Sequence, residues 1–132
     1  MQEEVLKFYR CNHCGNLFFA VVDSSVRPVC CGEEMEILVS RHDDSESNEK
    51  HVPIITKRDG DIIVQVGAEL HPMTSSHRIE WVALTDGHRV ELQRLGLTTT
   101  PIVHFCAANW QGNANLRAYA FCNLHGLWSS LS

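Results

Sequence analysis

Long hydrophobic runs are missing from this chain of 132 residues. None approaches the roughly 20 apolar residues that a membrane-crossing helix needs. The opening stretch, MQEEVLKFYRC, has acidic residues early and no apolar core ahead of a small-residue cleavage site, so it does not read as a secretory signal. The expected location is cytoplasmic, where cysteines stay reduced and serve as ligands or nucleophiles. Basic charge is also scarce. Eleven Lys and Arg face 16 Asp and Glu, giving a net charge of -5 and a pI near 5.9. That balance argues against a nucleic acid or an anionic membrane as partner. An anionic substrate would need positive charge placed locally. No long helical periodicity, internal repeat or low-complexity tract is present.

Against these absences stand six cysteines and eight histidines, with 44% apolar residues, a globular composition. The first forty residues alternate short apolar runs, LFFAVV (17–22) and MEILV (35–39), with turn material and cysteines. Such a segment carries too little apolar mass to hold itself together, so a metal staple is expected. RHDDSESNEK (41–50) has no apolar residue and reads as a linker or surface crossover. The division expected is therefore a small domain at 1–39, a linker at 40–48 and a larger domain at 49–132. In the last part DIIVQVG alternates Ile62, Val64 and Val66 on one face. RIEWVAL puts Ile79, Trp81 and Ala83 on one side, and HRVELQRL sets Val90 and Leu92 against Arg89, Glu91 and Gln93. With TTTPIVHFCAA (98–108) and NLRAYAFC (115–122), these short strands imply an all-β, antiparallel sandwich.

Two unlike clusters of metal-ligand residue types punctuate this plan. CNHC, with Cys11 and Cys14, is followed by the adjacent pair Cys30 and Cys31. A C-x2-C turn converges two sulfurs, and four thiolates suit tetrahedral iron or zinc. Spacing does not choose between the two metals. A redox C-x-x-C would need a βαβ context that is lacking here. The adjacent pair cannot spread its side chains as a longer loop can, and a distorted tetrahedron is expected. The second cluster is dispersed: EKHVP (49–53), HPM (71–73), SH (76–77) and CNLH (122–125) supply His51, His71, His77, Cys122 and His125 at strand edges. Each is weak alone, but loops at one end of a sandwich bring distant positions together. The entropy of closing such loops grows only logarithmically with length.

The order CNHC, CC, EKHVP, HPM-x3-H, IEWV and CNLHGLW resembles the desulfoferrodoxins, two-iron superoxide reductases, over nearly the whole chain. The resemblance implies a desulforedoxin-like domain in which Cys11, Cys14, Cys30 and Cys31 hold one iron. It implies an immunoglobulin-like sandwich in which His51, His71, His77 and His125 lie in a plane around a second iron, with Cys122 on the axis below. Which histidines bind metal comes from the resemblance, not from spacing. Two Fe ions per chain and a homodimer follow from it. So does one-electron reduction of superoxide to hydrogen peroxide with electrons from a rubredoxin-like donor. Lys50 would attract superoxide and order a proton-delivering water, and Glu49 would close the open position of the oxidised metal. From the residues alone these two are solvated linker charges. Leu70, where the family often has proline, and the TSS before His77 depart from the pattern without touching a ligand.

Two other functions fit the residues less well. A non-enzymatic electron carrier or structural metal-binding protein accounts for CNHC and CC but not for the ordered histidine motifs. A dismutase shares the open-site logic but must also oxidise superoxide. Cys106 reads as a buried packing residue, His104 as a hydrogen-bonded core or edge residue, and His13, His42 and His88 as surface. Trp81 and Trp128 read as core or site wall, Trp110 and Tyr119 as structural.

Overall fold

The computed structural model describes residues 6–45, 50–97, 99–111 and 115–132. The chain divides into two compact units, Met1–Val39 and Ser40–Ser132. Both are built from strands. Among the described residues the one helical element is a 3-10 turn at Ala107–Asn109.

In the first unit, β1 (Phe8–Arg10) lies between β2 (Leu17–Phe19) and β5 (Glu36–Ile37), while β3 (Val29–Cys30) and β4 (Glu33–Glu34) form a separate hairpin. One apolar cluster there joins Tyr9, Cys11 and Met35, with Ala20, Cys30 and Ile37 against it, and Leu6, Phe8 and Leu38 are buried as well. The Tyr9 hydroxyl donates to Asp23 over 2.8 Å and fixes the long loop after β2. That loop leaves Val21 and Val22 more than four-fifths exposed, so the strand expected over 17–22 ends at Phe19. A core this small does not stabilise a domain by apolar burial alone.

The second unit is a two-layer sandwich. One sheet has the order β10 (Ile102–Cys106), β7 (Asp61–Val66), β6 (Pro53–Arg58). The other has the order β12 (Gly126–Leu131), β11 (Arg117–Cys122), β8 (Ile79–Thr85), β9 (Val90–Arg94). In chain order this is the A-B-E sheet and G-F-C-C′ sheet of an immunoglobulin-like sandwich. Ile62, Val64 and Val66 face inward with Val103 and Phe105, meeting Ile79, Val82, Leu84, Ala118, Ala120 and Cys122 from the other layer. Small alanines on β11 admit the larger side chains opposite. All six residues of β11 are buried, so its two faces are both withdrawn from water.

Three details differ from strict alternation. The β11–β8 register slips between Phe121, opposite Trp81, and Cys122, opposite Ile79, which leaves Glu80 as an extra residue in a bulge. Ile79 therefore faces the core with Val82 and Leu84, while Trp81 and Ala83 lie on the other face, against the pattern expected from the sequence. Trp81 stacks there on Phe121, with centroids 5.7 Å apart. On β10, Val103 and Phe105 turn inward, so Cys106 is exposed and not a packing residue. The polar stretch expected as a linker is bound to the second unit at its start. Arg41 accepts from Ser129 N–H (2.9 Å) and donates to the Leu127 carbonyl (3.0 Å), running parallel to β12.

Two glycines illustrate how backbone approach shapes this unit. Gly60 ends the two-residue Asp59-Gly60 turn of the β6–β7 hairpin, at φ 78° with open space around it. Gly67, just past β7 at φ 88°, is pressed against the backbone carbonyls of Lys50 and Glu69, and its N–H donates to Val52. Gly60→Ala should cost about 1 kcal/mol of backbone strain, whereas Gly67→Ala should cost about 3 kcal/mol or more. Parallel thermal denaturation of the two variants measures the difference; equal losses would mean that Gly67 makes no close approach to residue 50.

Candidate metal centres

The first cluster rests on two turns. Cys11 directly follows β1, and Gly15 at φ 81° closes the loop by donating to the Cys11 carbonyl (3.0 Å). Backbone N–H groups of Cys14 and Asn16 point at the sulfurs of Cys11 and Cys14, each at 3.5 Å. Opposite, β3 and β4 are joined by Cys31-Gly32, both with positive φ, 54° and 80°. This is the turn type that demands left-handed backbone at both central positions. That conformation, rare for a cysteine, is how neighbouring residues send both side chains towards the same point. One ligand atom from each of Cys11, Cys14, Cys30 and Cys31 lies within 4.8 Å of all the others.

The thiol electrostatics fit a cation. The Cys14 N–H, with the His13 N–H, pulls the Cys11 thiol down to about 6. The Cys14 and Cys11 sulfurs push Cys30 upward and Cys31 to about 12. Four thiolates gathered without a positive centre repel one another, and an ion of charge +2 or +3 removes the conflict. The Cys14 and Cys30 sulfurs are 3.6 Å apart, close to the roughly 3.8 Å expected for two sulfurs about 2.3 Å from a tetrahedral ion.

The second cluster gathers at one end of the sandwich. His51 precedes β6, His71 and His77 lie in the β7–β8 connection, Cys122 ends β11, and His125 is the last of the three residues that turn the chain from β11 to β12. The four imidazoles stand at the corners of a near-square. Ring centroids are 4.7 Å (His51–His71), 4.6 Å (His71–His77), 5.1 Å (His77–His125) and 5.0 Å (His125–His51) apart, with the His51–His77 diagonal longer at 6.5 Å. Donor atoms of His51, His77, Cys122 and His125 all lie within 4.8 Å of one another; His71 adjoins them by its ring but falls outside that mutual limit.

Donor chemistry tests the fit. His51 Nε2 and His125 Nδ1 face each other at 3.2 Å. Two nitrogens about 2.1 Å from one ion and at right angles sit about 3 Å apart. His71 Nδ1 lies 2.8 Å from the Pro72 carbonyl, which can only accept, so Nδ1 bears the proton and Nε2 the lone pair. Cys122 has no solvent exposure; its sulfur accepts the His125 N–H (3.4 Å) and lies 3.8 Å from His125 Nδ1. The set of imidazoles with one thiolate fits a transition metal.

Residues around this square also hold it. Trp128 stacks on His51 with centroids 4.3 Å apart and planes within 9°, and the Arg41 guanidinium lies 5.3 Å from the same indole. Asn123 buttresses the far side, its side chain accepting from Arg78 N–H (2.8 Å) and donating to the Ser76 carbonyl (2.9 Å). Thr74 braces the His77 loop through the His77 N–H (3.0 Å). Asp44 was not singled out by sequence reasoning, because a lone acidic residue in a polar stretch gives no signal. Lys50 is half-buried beside His51, and Glu49 lies outside the described residues. His104 pairs with Asp61 at 3.2 Å on an exposed strand, remote in sequence from both clusters. An apolar depression of about 300 Å³ adjoins the square, lined by Leu70, His71, Met73 and Pro101. A separate cleft of about 640 Å³ lies by Arg78, Glu80 and Arg94 and is lined by none of the five donors.

Comparison with known proteins places this geometry. The family model described as Desulfoferrodoxin matches residues 43–131. A desulfoferrodoxin from Syntrophotalea carbinolica is 39% identical over 127 residues, covering 96% of this chain and 97% of its own. A desulfoferrodoxin homolog from Archaeoglobus fulgidus is 35% identical, covering 96% and 98% respectively. The crystal structure of the superoxide reductase from Treponema pallidum matches with a TM-score of 0.75 at 28% identity, over 98% of this chain and 99% of that one. With two metal-binding clusters, one of four cysteines and one of histidines with a cysteine, on a two-unit all-β frame, the chain belongs to the desulfoferrodoxin family.

Proposed function

We propose that the protein is a superoxide reductase working at the histidine–cysteine site. The observation that carries this reading is the square of four imidazoles with the buried Cys122 sulfur among its donors. In this reading His51, His71, His77, His125 and Cys122 would hold iron, and these five donors would leave the metal able to take one small ligand more. Iron bound there would supply a one-electron couple, with the Cys122 thiolate donating electron density to it.

The rest of the work falls to the chain. Lys50, next to His51, supplies the local positive charge that an acidic protein needs to draw in a small anion. It also orders the water that hands a proton to the reduced oxygen. Glu49, which lies outside the described residues, would cap the metal between turnovers. Superoxide gains one electron and two protons and departs as hydrogen peroxide, and no dioxygen forms. The thiolate quartet of Cys11, Cys14, Cys30 and Cys31 holds a second iron with no open side, suited to passing electrons or to stapling the small unit. The electron comes from an external carrier of the rubredoxin type. The six cysteines are free thiols, in keeping with a reducing cytoplasm, and no described helix is long and apolar enough to cross a membrane. A homodimer is the assembly proposed.

Three measurements test this. Superoxide consumption with peroxide formed and no dioxygen evolved is the expected balance; oxygen evolution would make the protein a dismutase. Lys50→Ala should slow the bimolecular reaction about tenfold or more and flatten its dependence on ionic strength, with metal content unchanged. An unaltered rate removes Lys50 from the mechanism. Cys122→Ser should abolish the thiolate-to-iron absorption of the oxidised site and leave the four-cysteine absorption in place; a surviving band means another ligand set.

A further inference from the structure

We propose that Asp44 is a positioning residue of the histidine–cysteine site, acting through His51 as the carboxylate behind a metal-binding imidazole; this rests on the reading of that site given above. Its two oxygens are divided between consecutive backbone groups. The His51 N–H donates to Oδ1 at 2.7 Å and the Val52 N–H to Oδ2 at 2.8 Å. The same Oδ1 lies 3.7 Å from His51 Nδ1. That nitrogen is on the far side of the ring from Nε2, which faces His125. The carboxylate is only 16% exposed, and His51 is 1% exposed.

His51 needs such a hold. No strand contains it, for β6 begins only at Pro53. Trp128 fixes the plane of the ring by stacking, but a stack permits sliding and rotation within that plane. The paired N–H bonds to one carboxylate set the backbone from which the ring projects. Both are charge-assisted and short. The neighbouring Asp43 does not compete, because its carboxylate closes its own turn on the N–H and hydroxyl of Ser45, at 2.8 and 2.9 Å.

An electrostatic effect follows from the same placement. A negative charge behind the imidazole makes it a stronger donor and favours the more highly charged state of any ion on Nε2. A residue that only capped the chain would contribute stability and nothing to the ion.

The test compares Asp44→Asn and Asp44→Ala with the parent protein loaded with iron, the four-cysteine site serving as an internal control in each sample. Asparagine keeps the size and one acceptor but not the charge; alanine loses all three. Competition with a chelator should show iron bound at the histidine–cysteine site about tenfold more weakly in Asp44→Asn. Its midpoint potential, read at the thiolate band, should move upward. Asp44→Ala should move both further, and the four-cysteine potential should stay fixed. Unchanged affinity and potential in Asp44→Asn, whatever happens to the melting temperature, overturn the proposal and leave Asp44 a structural cap. A parent protein that takes up no iron beyond the four-cysteine site overturns the proposal together with the function it rests on. If alanine fails to fold, the asparagine comparison decides alone.

Discussion

The sulfur of Cys122 sits with no solvent exposure at the end of a central strand, and the loop end of the sandwich is organised around it. Three constraints meet at that atom. The bulge at Glu80 turns Ile79 into the core opposite it. The β11–β12 turn brings the His125 N–H and ring onto it. The β7–β8 connection brings His77 within reach. A buried thiolate is unfavourable unless positive charge or donors surround it. A metal ion meets that demand, so the strand register and the donor set express one electrostatic requirement.

The two clusters solve the same problem with different backbone. In the first unit, tight turns do nearly all the work: a glycine-closed loop between Cys11 and Cys14, and left-handed conformations at Cys31 and Gly32. Its ligands come from two short segments with only a small core behind them, so the metal itself contributes to folding. In the second unit a substantial core exists without the site. The sandwich sets the square of imidazoles from outside, through Trp128 against His51, the Pro72 carbonyl on His71 and Asn123 against the 75–78 loop.

Much of this could be read from the sequence. The alternation at Ile62, Val64 and Val66 gave β7 its inward face directly, and the cysteine spacing announced the first cluster. The motifs around His51, His71, His77, Cys122 and His125 carried the family resemblance, while spacing alone did not choose the ligands. What escaped has physical causes. A bulge reverses the parity of every following residue, so alternation counted through Glu80 misplaced Trp81 and Ala83. Edge strands have one solvated flank and weak patterns: Pro53–Arg58 begins with proline and ends in two cations, and Gly126–Leu131 is half serine and glycine. Cys106 looked like core because a cysteine among apolar neighbours usually is, yet its position on β10 is outward. Asp44 and Arg41 act at a distance in sequence from what they touch, and no local pattern records that.

The turn that carries Cys122 and His125 has a further consequence. Because only three residues separate strands already paired through six register positions, the spacing of those two donors is inherited from a hairpin. The spacing of His51 and His71 from that hairpin depends instead on how firmly the two layers stay closed, because they flank β6 and β7 of the other sheet, whereas His77 adjoins β8 in the hairpin's own sheet. Warming or loosening the sandwich would therefore open the ring of donors along one side first, with the sulfur and the imidazoles of His125 and His77 still gripping as a three-toothed clamp. Loss of metal and its recapture should then behave as the swing of a jaw on a fixed half, reversible well before the fold itself gives way.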